Sequence, residues 1–135
     1  MKVIPISASA GITGFESACE EYSQLSINLD DLIEHPASSY LGVASGDSMV
    51  EVGVFDGDLL LVDRHLDAKT GDVIVANLNG EFCCKILDVE RRLLISANKA
   101  YKPVAIGGLD TFSIEGVVSK SIRCHRPTYL LANHQ

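Results

Sequence analysis

The stretch Gly71-Asp72-Val73-Ile74-Val75-Ala76-Asn77-Leu78-Asn79-Gly80-Glu81-Phe82-Cys83-Cys84-Lys85-Ile86-Leu87 decides the fold. Two largely apolar runs, residues 72–77 and 81–87, flank Asn79-Gly80, the residue pair that most readily takes positive φ at both centres of a tight hairpin turn. Their β-branched side chains fit a pleated surface. The stretch reads as an antiparallel hairpin.

The same signature recurs on both sides of this hairpin. Residues 40–44, 58–63, 92–96 and 112–122 read as further strands, separated by turn-forming pieces at Ser45-Gly46-Asp47, Asp56-Gly57, Lys69-Thr70-Gly71-Asp72 and Gly107-Gly108. Short strands at such close spacing predict a mainly β domain, a small barrel or clip rather than an α/β sheet. Residues 1–38 read differently, with small side chains from Ser7 to Gly14, polar and acidic ones from Glu16 to Gln24, and weak periodicity. The expected organisation is an extended N-terminal arm over 1–38 and a β-rich domain over 39–135. Within the arm, residues 26–33 read as a short strand or a single helical turn before the His35-Pro36 break. There is no internal repeat and no low-complexity segment.

With 47% hydrophobic and 21% charged residues, the 135-residue chain has apolar material for one ordinary core. Aromatics are 6% and Trp is absent, so that core should be aliphatic. Eleven Lys and Arg against 18 Asp and Glu give a net charge of −7, which a phosphate backbone repels. The one concentrated basic stretch, Lys120-Ser121-Ile122-Arg123-Cys124-His125-Arg126, reads as a solvated last strand and tail rather than a nucleic-acid patch. A protein partner is expected, not direct sequence-specific DNA binding. Cysteines at 19, 83, 84 and 124 form no C-x-x-C pair and lie near no histidine at zinc-finger spacing, so no metal or other cofactor is expected. This usage fits a reducing compartment. Adjacent Cys83 and Cys84 should point to opposite faces of their strand as small core hydrophobes. The apolar start Met1-Lys2-Val3-Ile4-Pro5-Ile6 breaks off at once in small residues, and no stretch approaches a membrane span. A cytoplasmic protein is the expectation.

Two residues stand out chemically. Ser48, in Ser45-Gly46-Asp47-Ser48-Met49, follows a strand and begins a tight turn, where a hydroxyl can be held exposed beside backbone N–H groups. Taken alone, a serine in such a turn ordinarily bonds its own backbone. Lys85 lies within the apolar strand 81–87, on the face of Cys83 and Leu87, so its stem should be buried and desolvation should disfavour its ammonium form. A neutral lysine can act as a general base; the alternative is an edge lysine that snorkels to water. Serine activated by lysine needs neither histidine nor aspartate. The histidines at 35, 65, 125 and 134 read as surface residues rather than bases or ligands.

Taken in order, Ser45-Gly46-Asp47-Ser48-Met49, Asp56-Gly57-Asp58-Leu59-Leu60-Leu61-Val62-Asp63, Gly71-Asp72-Val73-Ile74-Val75-Ala76 and Gly80-Glu81-Phe82 with Lys85 resemble the UmuD family of SOS mutagenesis proteins. That family belongs with the LexA-type self-cleaving peptidases. The separation of Ser48 from Lys85 agrees with the family's serine–lysine spacing, and Ser96-Ala97-Asn98-Lys99-Ala100-Tyr101 resembles the stretch that follows. Upstream, Gly14-Phe15-Glu16-Ser17 and His35-Pro36-Ala37-Ser38-Ser39-Tyr40 resemble the family's arm. The resemblance implies Ser48 as nucleophile, Lys85 as its base, and the backbone amides of Ser48 and Met49 as oxyanion donors. It further implies a LexA-like peptidase barrel or β-clip and a homodimer. Self-cleavage would be stimulated by the RecA filament on single-stranded DNA, and the trimmed form would be an accessory subunit of a UmuC-like Y-family translesion polymerase.

The family cuts its own arm before a glycine, normally after alanine or cysteine. Here the matching glycine is Gly14, preceded by Thr13, whereas Ala10-Gly11 offers the usual pair three residues earlier. Thr13–Gly14 is the preferred site, because register to the nucleophile dominates when the substrate is a tethered segment. Ala10–Gly11 is the alternative. Three rival functions use parts of the same pattern. A LexA-like repressor would need a DNA-binding module ahead of the arm, for which the residues before Gly14 are too few. A signal peptidase would need an anchor. A non-catalytic polymerase-binding module would keep Ser48 and Lys85 only as turn and strand residues.

Overall fold

The computed structural model describes residues 27–128. The chain divides into two units, Met1–Glu34 and His35–Gln135. In the first, Leu29–Leu32 form a 3-10 turn, the helical one of the two readings of this segment. The Asn28 N–H donates to Asp31 Oδ2 at 2.9 Å across that turn.

The second unit is a seven-stranded antiparallel sheet. In chain order its strands are β1 (Ser39–Val43), β2 (Leu59–Asp63), β3 (Val73–Leu78), β4 (Glu81–Asp88), β5 (Leu93–Ile95), β6 (Val104–Ala105) and β7 (Phe112–Ile122). Across the sheet the order is β1-β2-β7-β3-β4-β5-β6, so the last strand lies between β2 and β3. The mainly β expectation holds, and the six predicted strands are present within one residue or so at each end. β6 is an addition to those six: its two residues are too short to carry an alternation pattern.

The β3–β4 hairpin closes on Asn79 and Gly80, with φ of 53° and 89°, both left-handed as this two-residue turn demands. Six residue pairs from Val73↔Ile86 to Leu78↔Glu81 follow without a break. Because side chains alternate, Val73 and Val75 join one core, and Ile74 and Ala76 the other. Cys84 packs against the first core and Cys83 against the second, on opposite faces as expected. The first core contains Ala44, Met49, Val54, Leu60, Val62 and Ala97, and the second Ile74, Ala76, Leu87, Leu94, Ile106 and Val117. Both faces are thus buried, each partly beneath the sheet's own connections. Val62, Ile74 and Leu94 are the largest fully buried side chains, each worth about 1.5–3 kcal/mol on burial.

β7 serves two neighbours through bulges, at Leu61/Val62 opposite β2 and at Val75/Ala76 opposite β3. Gly116 makes this close approach possible. Its φ is 152°, and a Cβ there would lie 2.5 Å from Val62 Cγ1 and 3.1 Å from the Asp63 carbonyl oxygen.

Two buried carboxylates tie this body together. Asp58 receives both Nε and Nη2 of Arg123 at 2.9 Å, and Arg123 Nη2 also donates to the Gly53 carbonyl at 3.0 Å. The Arg123 guanidinium holds the Asp58 carboxyl below the usual carboxylate range, against the opposing pull of burial. Asp63 is bonded by His35 Nδ1 at 2.5 Å, and that bond lowers its carboxyl in the same way. The basic stretch at the end of β7 is therefore not wholly solvated: Arg123 is committed to the protein. His35, expected at the surface, is half-buried against Asp63 and stacks on His65 at 4.2 Å.

Candidate active site

After β1 the chain enters Ser45-Gly46-Asp47-Ser48, which leads into a 3-10 turn at Val50–Val52. Gly46 has φ of 86°, so the turn needs a residue without a Cβ at this point. Its N–H donates to Asp56 Oδ1 at 2.8 Å. The Ala44 N–H donates to the Asp58 carbonyl and the Gly57 N–H to the Ala44 carbonyl, both at 2.8 Å. Met49, 3% exposed, anchors the far side in the first core, and its carbonyl accepts from the N–H groups of Val52 and Val54. Ser48 sits half-buried between the exposed Asp47 and this anchor.

A second loop, following β5, clasps the same turn. Asn98 Nδ2 donates to the Asp47 carbonyl at 2.9 Å, and the Tyr101 hydroxyl donates to Asp47 Oδ1 at 2.5 Å. The Glu51 N–H donates to the Ala97 carbonyl at 2.8 Å, and the Lys99 N–H to Glu51 Oε2 at 3.0 Å. Ala97 is itself buried in the first core. The stretch singled out in sequence as 96–101 is thus the brace of the Ser48 turn.

Lys85 comes from the middle of β4, opposite Ile74, and is half-buried. Ser48 and Lys85 line one cavity of about 640 Å³, within the range of small-ligand sites. Its apolar wall includes Met49, Val54, Leu60, Val75 and Phe82, the last an exposed aromatic at the start of β4. Cys83 and Cys84 also line it. Burial pushes the Cys84 thiol up to about 11 and raises that of Cys83, with Lys85 pulling both the other way. At neutral pH both thiols stay protonated, so the serine has no thiolate competitor beside it. Arg64 and Glu115 close another part of the wall, 3.7 Å apart, with the Arg64 guanidinium 4.9 Å from the centre of the Tyr40 ring.

Of the residues read from the sequence, Ser48, Met49 and Lys85 come together here, although they lie on separate elements. Thr13, Gly14, Ala10 and Gly11 fall outside the described residues. His35, His65 and His125 do not line the cavity. Arg64 and Glu115 carry no signal in the sequence, because they meet only in the folded sheet; Asn98 and Tyr101 lie in the stretch 96–101 that the motif order marks, but their bonds to Asp47 exist only once that loop is folded onto the Ser48 turn. Asp47, which carried no assigned chemical role, is the acceptor that joins the turn to the brace.

The result is a small β-rich body in which the Ser48 and Lys85 side chains, with Ser45 nearby, line a partly apolar cavity. A family profile described as Peptidase S24-like matches residues 2–119, and the chain belongs to that family. It is 35% identical over 125 residues to a LexA repressor of Stenotrophomonas maltophilia, covering 91% of this chain and 54% of the relative. It is 36% identical over 104 residues to Protein ImpA of Escherichia coli, covering 76% of this chain and 68% of that protein. A LexA repressor of Xylella fastidiosa is 36% identical over 100 residues, covering 73% of this chain and 47% of the relative. The chain spans about half the length of the LexA repressors it matches.

Proposed function

We propose that this chain is a serine–lysine peptidase that cleaves its own N-terminal arm between Thr13 and Gly14. The observation that carries the reading is the shared cavity of Ser48 and Lys85, within a chain of a peptidase family. In this mechanism the neutral Lys85 amine takes the Ser48 Oγ proton as Oγ attacks the Thr13 carbonyl carbon. Charge gathers on that carbonyl oxygen, where the backbone N–H groups of Ser48 and Met49 receive it. The C–N bond then breaks, and the Gly14 amine leaves with the proton that Lys85 had taken. Lys85 next removes a proton from water, which hydrolyses the seryl ester and frees the Thr13 carboxyl group. Gly14 leaves room for the close backbone approach, and Ala10–Gly11 is the competing site.

The trimmed form is proposed to act in the SOS response as a homodimeric accessory subunit of a UmuC-like translesion polymerase. Cleavage would be stimulated by a RecA filament on single-stranded DNA, in the cytoplasm. Support comes from the family, from the ImpA and LexA relatives and from the motif order. A tethered substrate gives this regulation a physical basis: the bond is cut only when its docked state is populated, so a partner that shifts this population sets the rate. Among the described residues, no helix is long and apolar enough to cross a membrane.

The experiment is to incubate the purified chain at rising pH and to measure product masses. Cleavage that accelerates from neutral pH toward alkaline, yielding a fragment beginning at Gly14, is the expected result. An intact mass throughout, with the fold retained, leaves the non-catalytic binding module as the better reading.

A further inference from the structure

Tyr101 stands where the two chemical parts of the site meet. Its hydroxyl donates to Asp47 Oδ1, one residue before Ser48, across 54 positions of sequence. Its ring centre lies 5.8 Å from Lys85 Nζ, within the distance over which a ring face attracts a cation. The side chain is 46% exposed, so apolar burial is not what holds it there. Asp47 in turn holds the Tyr101 phenol above its usual pKa by accepting its proton in a hydrogen bond, which keeps Tyr101 a neutral donor.

We propose that Tyr101 is a positioning residue of the serine–lysine pair: its hydroxyl fixes the Ser48 turn through Asp47, and its ring steadies Lys85 as the ammonium between turnovers. The inference rests on the peptidase reading given above and adds a built-in restraint to it. A ring face attracts the ammonium and not the neutral amine, so it favours the form that cannot act as base. Tyr101 therefore lowers the resting cleavage rate while keeping the turn in working geometry.

The other groups around Lys85 do not replace this effect. On β4, burial raises the thiols of Cys83 and Cys84 above their ordinary values, so both are uncharged at neutral pH. Arg64 and Glu115 line the same cavity as an opposite-charge pair and offset one another. Asp47, behind the phenol, acts in the same direction as the ring. The aromatic face is thus the part whose removal moves the proton balance without changing a charge.

The test uses the full chain and follows self-cleavage by mass between about pH 7 and about pH 10, for the parent, Tyr101→Phe, Tyr101→Leu and Ser48→Ala. Tyr101→Phe keeps the ring and loses the bond to Asp47. Its limiting rate should fall by about threefold to tenfold, with the pH of half-maximal rate unchanged. Tyr101→Leu should show a similar fall in limiting rate, and its half-maximal pH should move down by about half a unit. The proposal is overturned if both variants match the parent in rate and profile, or if the two variants share one half-maximal pH. A parent that does not cleave, or a Ser48→Ala chain that does, defeats the serine–lysine reading itself, and the proposal with it.

Discussion

Two turns of the domain, at Asn79-Gly80 and at Ser48, are built in opposite ways. Asn79-Gly80 takes its shape from its own two residues, both at positive φ, and Asn79 then supports another loop: Nδ2 donates to Asp110 Oδ1 and Oδ1 accepts from the Thr111 N–H, each at 2.9 Å. The Ser48 turn has one glycine at positive φ and takes the rest of its shape from Asp56, Asn98 and Tyr101, 10 to 54 residues away. The first turn lends support and the second borrows it. On the proposed reading the Ser48 turn presents a reactive hydroxyl at a fixed place, which bracing from several directions serves better than local preference. A hairpin turn only has to set register.

The largest effect expected from breaking this contrast is at the proposed nucleophile, Ser48. Ser48→Ala and Lys85→Ala should each reduce self-cleavage by several orders of magnitude and leave the thermal unfolding midpoint nearly unchanged. Their double mutant should be no worse than either single one, since the two act as one unit. Mass measurement after alkaline incubation checks this, and a single variant that cleaves at the parent rate refutes the pairing.

Loosening the brace should matter less, and only to rate. Asn98→Ala removes the donor to the Asp47 carbonyl and the acceptor of the Ala100 N–H, and should slow cleavage about tenfold for a small loss of stability. Asn79→Ala should do the reverse. It removes a residue suited to φ of 53° and two side-chain bonds, so unfolding in urea should show a loss of about 1–2 kcal/mol. The folded fraction should still cleave at the parent rate. If Asn79→Ala slows cleavage as much as Asn98→Ala, the distinction between the two turns is void.

The smallest effect concerns acid. Asp58 and Asp63 have carboxyl groups lowered in the folded state, by Arg123 and His35 respectively. Their contribution to stability is present above the unfolded-state value, about 3.9, and is lost as pH falls through the lower folded-state values. Between about pH 5 and about pH 3 the melting temperature should therefore drop, and Asp58→Asn should flatten part of that slope at a lower starting value. Arg123 also holds the Gly53 carbonyl at the end of the 3-10 turn that follows Ser48. Acid should thus loosen the borrowed turn before the hairpin, which amide hydrogen exchange can resolve.

Much of this architecture is local and was legible in the sequence. Strand runs and turn residues located six of the seven strands, and alternation put Cys83 and Cys84 on opposite faces. The motif order named Ser48 and Lys85. The histidines show where such reasoning ends: His35 reads as a surface residue until β2 is folded beneath it and Asp63 becomes its partner. Arg123 likewise reads as part of a solvated basic tail until the placement of β7 beside β2 brings it onto Asp58.

The sequence by itself determined the hairpin at Asn79-Gly80, the mainly β character and the glycine at position 46, because backbone sterics and side-chain alternation act between near neighbours. The tertiary structure alone decided that β7 enters between β2 and β3, that Ser48 and Lys85 share a cavity, and that Asn98 and Tyr101 brace the Ser48 turn through Asp47. Those contacts join residues tens of positions apart. They form only when burying both faces of the sheet repays the entropy of closing the long loops between them.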